Sequence, residues 1–194
     1  MESESDFSQA KREVIKNDFL RLLNEKSYSQ LSMKGLAELS GMSRQNLYRY
    51  YSSKDEILEE ILQDSFDKIS TSLEVVSKEM TPEMWSLFVQ RCYEIIFQHR
   101  YQVSSLLSGG ADKLVYRYTK SFVVRLLGHM ARINNIVIKD PEFFDLIVHH
   151  LTGSSFHVIK AWAKGGMSVP VEQMAKIHYR LVDEAILDLI REAQ

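Results

Sequence analysis

Apolar residues recur three and four positions apart along almost the whole chain, and they alternate with polar ones nowhere over a strand's length. The pattern predicts an all-α protein of about nine helices. Ile15, Phe19, Leu22 and Leu23 form the stripe of a first helix ending near Glu25. Ile57, Ile61, Leu62, Phe66, Ile69 and Leu73 keep the same period over a long helix from Lys54, and no proline interrupts it before Pro82. Thr81-Pro82-Glu83 and Asp140-Pro141-Glu142 are start signals, each a cap, a proline in the first turn and an acid beside it. Between them, a short segment from Val103 to Leu107 ends at Gly109-Gly110, and a long helix runs from about Ala111 to Ile133. The helix opened at Asp140 breaks at Gly165-Gly166, and a last one follows Pro170 to near Ala193.

The stretch from Leu31 to Leu58 carries the densest punctuation. Ser32 can cap a short helix, with Leu31 and Leu36 placed to clamp its start. Gly41 comes where that helix must stop in a left-handed turn. Ser43 caps a second helix from Arg44 to about Tyr50, and Ser53 with Glu56 forms the capping box of a third. Ala37 is small where two helices would cross, while Leu47, Met42 and Tyr51 fill a common core. This is a helix-turn-helix pattern, whose second helix enters the DNA major groove. Arg44, Gln45 and Asn46 occupy the first turn of that helix, where Arg can pair with guanine and Asn or Gln with adenine. Tyr48, Arg49, Tyr50 and Lys54 are within reach of phosphates, as are Ser32, Lys34 and Ser43 at the helix starts.

The run GMSRQNLYRYYSSKDEIL resembles the tetracycline-repressor (TetR) family of bacterial transcription regulators. Gly41, Ser43, Leu47-Tyr48, Tyr51, Ser53-Lys54-Asp55 and Ile57-Leu58 carry the likeness. Gln45 and Asn46 stand where small residues are common, which implies an individual operator preference. The resemblance implies base readout by Arg44, Gln45 and Asn46. It also implies a DNA-binding unit over residues 1–53 and a helical effector-binding and dimerisation unit over residues 54–194. The segment FHVIKAWAKGGMSVPVEQ is similar, more loosely, to the family's dimerising helices. Apolar residues on more than one side of the last two long helices agree with that, and Ile159, Trp162, Met174, Ile177, Leu181 and Ala185 are the expected interface.

Composition changes the picture at three points. The net charge is −2, so DNA binding must rest on a local patch. Lys26, Lys34, Arg44, Arg49 and Lys54 provide one, with Glu38 the only acid among them before Asp55. One cysteine, Cys92, leaves no intrachain disulfide and no multi-cysteine zinc site, and it reads as a buried helical residue. The N-terminus lacks a signal-peptide run and no segment approaches the ~20 apolar residues of a bilayer span, so a cytoplasmic protein with no membrane partner is expected.

No H-E-x-x-H, phosphate-binding glycine loop or G-x-S-x-G occurs, which argues against an enzyme. Asp145 and His149 stand one helical turn apart, but His149 and His150 diverge by about 100°. The histidines therefore read as core or pocket residues, and neither a metal nor a cofactor is expected. An effector pocket, implied by the family, has Trp85, Phe88, Cys92, Tyr93, Tyr118, Phe122, Met130, His149 and Phe156 as candidate lining, which would suit a largely apolar small molecule. The expected function is a ligand-responsive repressor that binds a palindromic double-stranded operator as a homodimer. The alternative is a helical ligand-binding protein or coactivator of the same fold that does not itself read DNA.

Overall fold

Every start signal read from the sequence opens a helix in the computed structural model, which describes residues 4–74, 81–183, 189, 190 and 192. Among these residues there are nine α-helices and no strand: α1 (Glu4–Glu25), α2 (Met33–Leu39), α3 (Arg44–Tyr48), α4 (Lys54–Glu74), α5 (Pro82–Gln98), α6 (Arg100–Ser108), α7 (Asp112–Ile133), α8 (Pro141–Lys164) and α9 (Val171–His178). Thr81 Oγ1 accepts from Met84 N–H at 3.3 Å, and Asp140 Oδ1 from Phe143 N–H at 2.9 Å, so both caps form as the sequence implies.

Three departures have physical causes. The connector before α2 folds into a 3-10 turn, Tyr28–Gln30, because Tyr28 buries its ring against Phe19. The segment at Val103 is a longer helix than the periodicity shows, since α6 begins at Arg100 directly after the end of α5 and only His99 separates them. The last helix loosens into a π-helical stretch, Tyr179–Asp183, and its expected course to Ala193 passes partly outside the described residues.

Two hydrophobic cores result. The smaller is built by Ile15, Phe19, Leu22 and Leu23 of α1 with Leu36, Ala37, Leu47, Tyr51, Ile57 and Leu58. It is closed from below by Leu106 of α6 and Ala111 before α7. The larger holds α5, α7, α8 and α9 together around Tyr93, Leu127, Met130, Val148, Leu151 and Trp162. α4 joins the two. Phe66 packs its ring 5.4 Å from that of Phe122, and Glu59 and Asp67 pair with Arg117 and Arg125, so α4 and α7 run parallel. On another side of the same stretch α4 holds α1: Lys16, only 5% exposed, reaches Asp64 at 2.5 Å and Glu60 at 3.3 Å, besides Glu13 of its own helix at 2.7 Å.

Candidate nucleic-acid interface

Local chemistry sets the reading helix. Ser32 Oγ accepts from Gly35 N–H at 3.2 Å and starts α2, while nothing in the structure requires glycine at position 35. Gly41 takes φ 62°, a conformation that costs any residue with a Cβ, and Met42 N–H returns to Ala37 O at 3.0 Å. Ser43 Oγ then accepts from Asn46 N–H at 3.1 Å and starts α3. Leu47 and Tyr51, 0% and 1% exposed, fix α3 onto the small core. That anchoring turns Arg44, Gln45, Tyr48 and Arg49 to solvent, with Asn46 and Tyr50 half-buried at the edge. Arg44, Gln45 and Arg49 make no side-chain hydrogen bond or ion pair among the described residues, so their donors face outward unengaged. Lys34 stands exposed, only 3.9 Å from Glu38.

Lys54 is placed differently. Its Nζ donates to Tyr28 O at 2.8 Å and Leu31 O at 3.1 Å and sits 4.5 Å over the Tyr28 ring. The Tyr28 hydroxyl in turn donates to Asp55, and its pKa is raised first by burial and then by that carboxylate. Lys54 thus fastens the turn before α2 to the first residue of α4, with one ammonium hydrogen left for a phosphate. The capping box also shifts by one residue. Ser53 Oγ accepts from Glu56 N–H, but the Glu56 carboxylate accepts from the hydroxyl and N–H of Ser52, both at 2.6 Å, and those bonds hold its pKa below the usual value.

The candidate pocket residues divide. Trp85, Tyr93, Met130 and Phe156 are buried in the larger core with Phe88 and Phe122 against it, and Cys92 is half-buried on α5. Tyr118 lies outside that core beside Arg117, 5.6 Å from ring to guanidinium. His149 is exposed, with Lys120 Nζ at 3.0 Å and Asp145 at 3.3 Å, while Ile147 and Val148 of the same turn are buried in the core. One open cleft of about 450 Å³ is lined by Glu83, Ser86, Leu87, Gln90 and Tyr179, none of them among the candidates. Sequence reasoning missed His129, 9% exposed, whose ring nitrogens have no hydrogen-bond partner among the described residues; the Nε1 of the candidate Trp85 has none there either. Only the polarity of His129 on an otherwise apolar helical stripe could have signalled it.

The expected dimer residues differ in exposure. Trp162 and Met174 are 4% and 8% exposed, already enclosed by their own chain. Trp162 Nε1 donates to Val169 O at 3.0 Å, and its ring packs on Phe97 and Tyr93. Ile159 is half-buried, Ile177 and Leu181 are 41% and 76% exposed, and Ala185 lies outside the described residues. No group of three metal-ligating side chains occurs among the described residues, and no helix is long and apolar enough to cross a membrane.

A short capped helix, fixed by its apolar side and presenting unengaged Arg, Gln and Asn side chains, on an otherwise helical protein, defines a helix-turn-helix regulator. The family profile described as bacterial regulatory proteins, tetR family, matches residues 20–61, and one described as a transcriptional regulator C-terminal region matches residues 83–184. The chain belongs to the TetR family of transcriptional regulators. No curated protein matches it in sequence. Among solved structures it is similar to a tetR-family transcriptional regulator from Streptomyces coelicolor, at 19% identity over 95% of this chain and 88% of that one with a TM-score of 0.63. It is also similar to the fatty acid degradation regulator FadR from Bacillus halodurans, at 14% identity over 91% and 94% with a TM-score of 0.66. A third is the dihydroxyacetone kinase operon activator DhaS, at 13% identity over 94% and 97% with a TM-score of 0.62. At these identities the likeness is one of fold. The family is one of regulators and not of enzymes.

Proposed function

We propose that this regulator binds a palindromic operator as a homodimer and leaves it when a small, largely apolar effector enters the larger core. The observation that carries the reading is the outer side of α3, where Arg44 and Gln45 are exposed and unengaged while Leu47 behind them is fully buried. In this reading Arg44, Gln45 and Asn46 contact base edges. Ser32, Lys34, Ser43, Tyr48, Arg49, Tyr50 and the remaining hydrogen of Lys54 contact phosphate. Residues 1–53 form the DNA unit and 54–194 the effector and dimer unit, with α4 and α6 crossing between them.

A two-fold operator requires the two α3 helices to meet grooves about 34–36 Å apart or a multiple of that. An effector that favours a different separation shifts the population by no more than its differential affinity. The test is selection of genomic fragments with the purified protein, then titration of the best duplex at several salt concentrations. Enrichment of one palindrome bound by a dimer, with affinity falling steeply with salt, supports the proposal. Weak binding alike for all fragments overturns it and supports the DNA-independent coactivator.

A further inference from the structure

The reading helix α3 is only five residues long, so few side chains can fix its direction. Two tie it to the small core. Leu47, 0% exposed, stands within it, and Tyr51, 1% exposed, stands just past its end, with its N–H returning to Leu47 O at 3.2 Å. Two such points set the axis of a short helix. The second has a polar neighbour from another element: the guanidinium carbon of Arg12, on α1, lies 4.6 Å from the centroid of the Tyr51 ring.

The spacing of α1 puts Arg12 on the side that faces this core. It precedes Ile15 by three residues, Lys16 by four and Phe19 by seven, and all three are buried. Arg12 Nη1 donates to Glu60 Oε2 of α4 at 2.6 Å, while Glu60 Oε1 faces Lys16 Nζ at 3.3 Å. A planar guanidinium can hold a carboxylate at its edge and lay its face on an aromatic ring, which an ammonium cannot do. Arg12 therefore joins α1, the anchor of α3 and α4 at one place. Lys16, one turn along, pairs only with carboxylates of α1 and α4 among the described residues. Hydrogen bonds to base edges are short and directional, whereas attraction to phosphate falls off slowly with distance. A reading helix free to tilt about Leu47 thus loses base discrimination before it loses affinity for duplex in general.

We propose that Arg12 is a positioning residue for DNA reading: stacked on Tyr51 and held by Glu60, it sets the angle at which α3 presents Arg44, Gln45 and Asn46. The proposal rests on the DNA reading given above and adds a residue that acts through Tyr51.

The test measures the affinity of the full chain for its selected operator and for a scrambled duplex of equal length, at several salt concentrations. Arg12→Met keeps an apolar stem without the charge or the planar face. It is expected to lower the operator-to-scrambled ratio about tenfold, the scale of a desolvated cation–π contact. Arg12→Lys keeps a cation for Glu60 and is expected to lower the ratio about threefold, and it carries the test if Arg12→Met does not fold by circular dichroism. Lys16→Met is the control for lost stability alone: it is expected to unfold at lower denaturant with the wild-type ratio intact. Folded Arg12 variants with the wild-type ratio overturn the proposal. Equal weakening on both duplexes, with a salt slope shallower by about one, also overturns it and makes Arg12 a phosphate contact. A Lys16→Met protein that loses the ratio as far as Arg12→Met does overturns it too, since loosened packing then suffices. A wild-type protein that does not distinguish the two duplexes overturns the DNA reading itself.

Discussion

Arg44 and Lys54 are both cations of the reading unit, yet the structure gives them different work. Arg44 stands clear of its own protein, so Arg44→Ala is expected to leave folding unchanged and to cost about 1–3 kcal/mol of discrimination at one base pair. Titration of operators substituted one position at a time reads this directly. Lys54 holds the carbonyls of Tyr28 and Leu31 as well as any phosphate. Lys54→Ala is therefore expected to lower unfolding stability by about 1–2 kcal/mol, from the unmade bonds, and to weaken all duplexes alike. A change in base preference would contradict that division. His178 makes a third case. Its Nδ1 lies 3.0 Å from the Tyr93 hydroxyl, and burial pushes its pKa from the ordinary 6.5 down to about 4. The unfolded chain takes up this proton first as pH falls. The neutral ring's contribution is thus fully present above pH 6.5 and lost progressively toward pH 4, roughly 2–3 kcal/mol in all. Denaturant titrations across that interval should show the loss in the wild type and a flatter profile in His178→Asn.

At the scale of elements, caps and breaks were legible because each is a local bargain between one side chain and one backbone group. Ser32, Ser43, Thr81 and Asp140 accept the hydrogen bonds that their positions imply. Contacts between elements were not legible, since spacing along one helix does not say which other helix covers it. Trp162 and Met174 show this. Both sit on apolar sides read as a dimer face, and both are consumed by packing within the chain. Lys16 shows it in charge. It looks like an ordinary surface lysine, but it is enclosed between α1 and α4. Burial would lower its pKa, and Asp64, Glu13 and Glu60 together outweigh that and raise it. Lys16→Met takes the cation from Glu13 and Asp64 and leaves Glu60 with Arg12 alone, at 2.6 Å, and should destabilise by about 1–3 kcal/mol in chemical unfolding. Gly109 marks another such contact. A Cβ there would stand 2.6 Å from Tyr28 N, so Gly109→Ala must move α6 away from the turn before α2. The cost should be about 1–3 kcal/mol, whereas Gly128→Ala, with open space around it, should be neutral or stabilising.

For the molecule as a whole, the sequence suggests a boundary at Lys54, and the packing blurs it. The small core that supports α3 is completed by Leu106 and Ala111, which come from the far side of that boundary. Ser105 Oγ also donates to Lys26 O at 2.7 Å, next to the turn that Lys54 fastens. α6 therefore touches the DNA unit directly, while α4 runs from that unit to the larger core, where Phe66 meets Phe122 of α7. Two routes join the same pair of cores, so a shift on one side displaces packed groups on the other. Contiguity alone does not establish coupling, but it sets an expectation for folding. A helix-turn-helix unit with its own closed core would melt separately. One that borrows Leu106 should unfold together with the rest in a single transition, coincident by far-UV circular dichroism and by tryptophan fluorescence, whose two reporters Trp85 and Trp162 lie in the larger core. Leu106→Ala, removing a side chain that is 8% exposed, should cost about 2–4 kcal/mol and lower operator affinity although it touches no DNA. Two separated transitions in the wild type, or a Leu106→Ala protein less stable but with unchanged affinity, would show that the cores act independently.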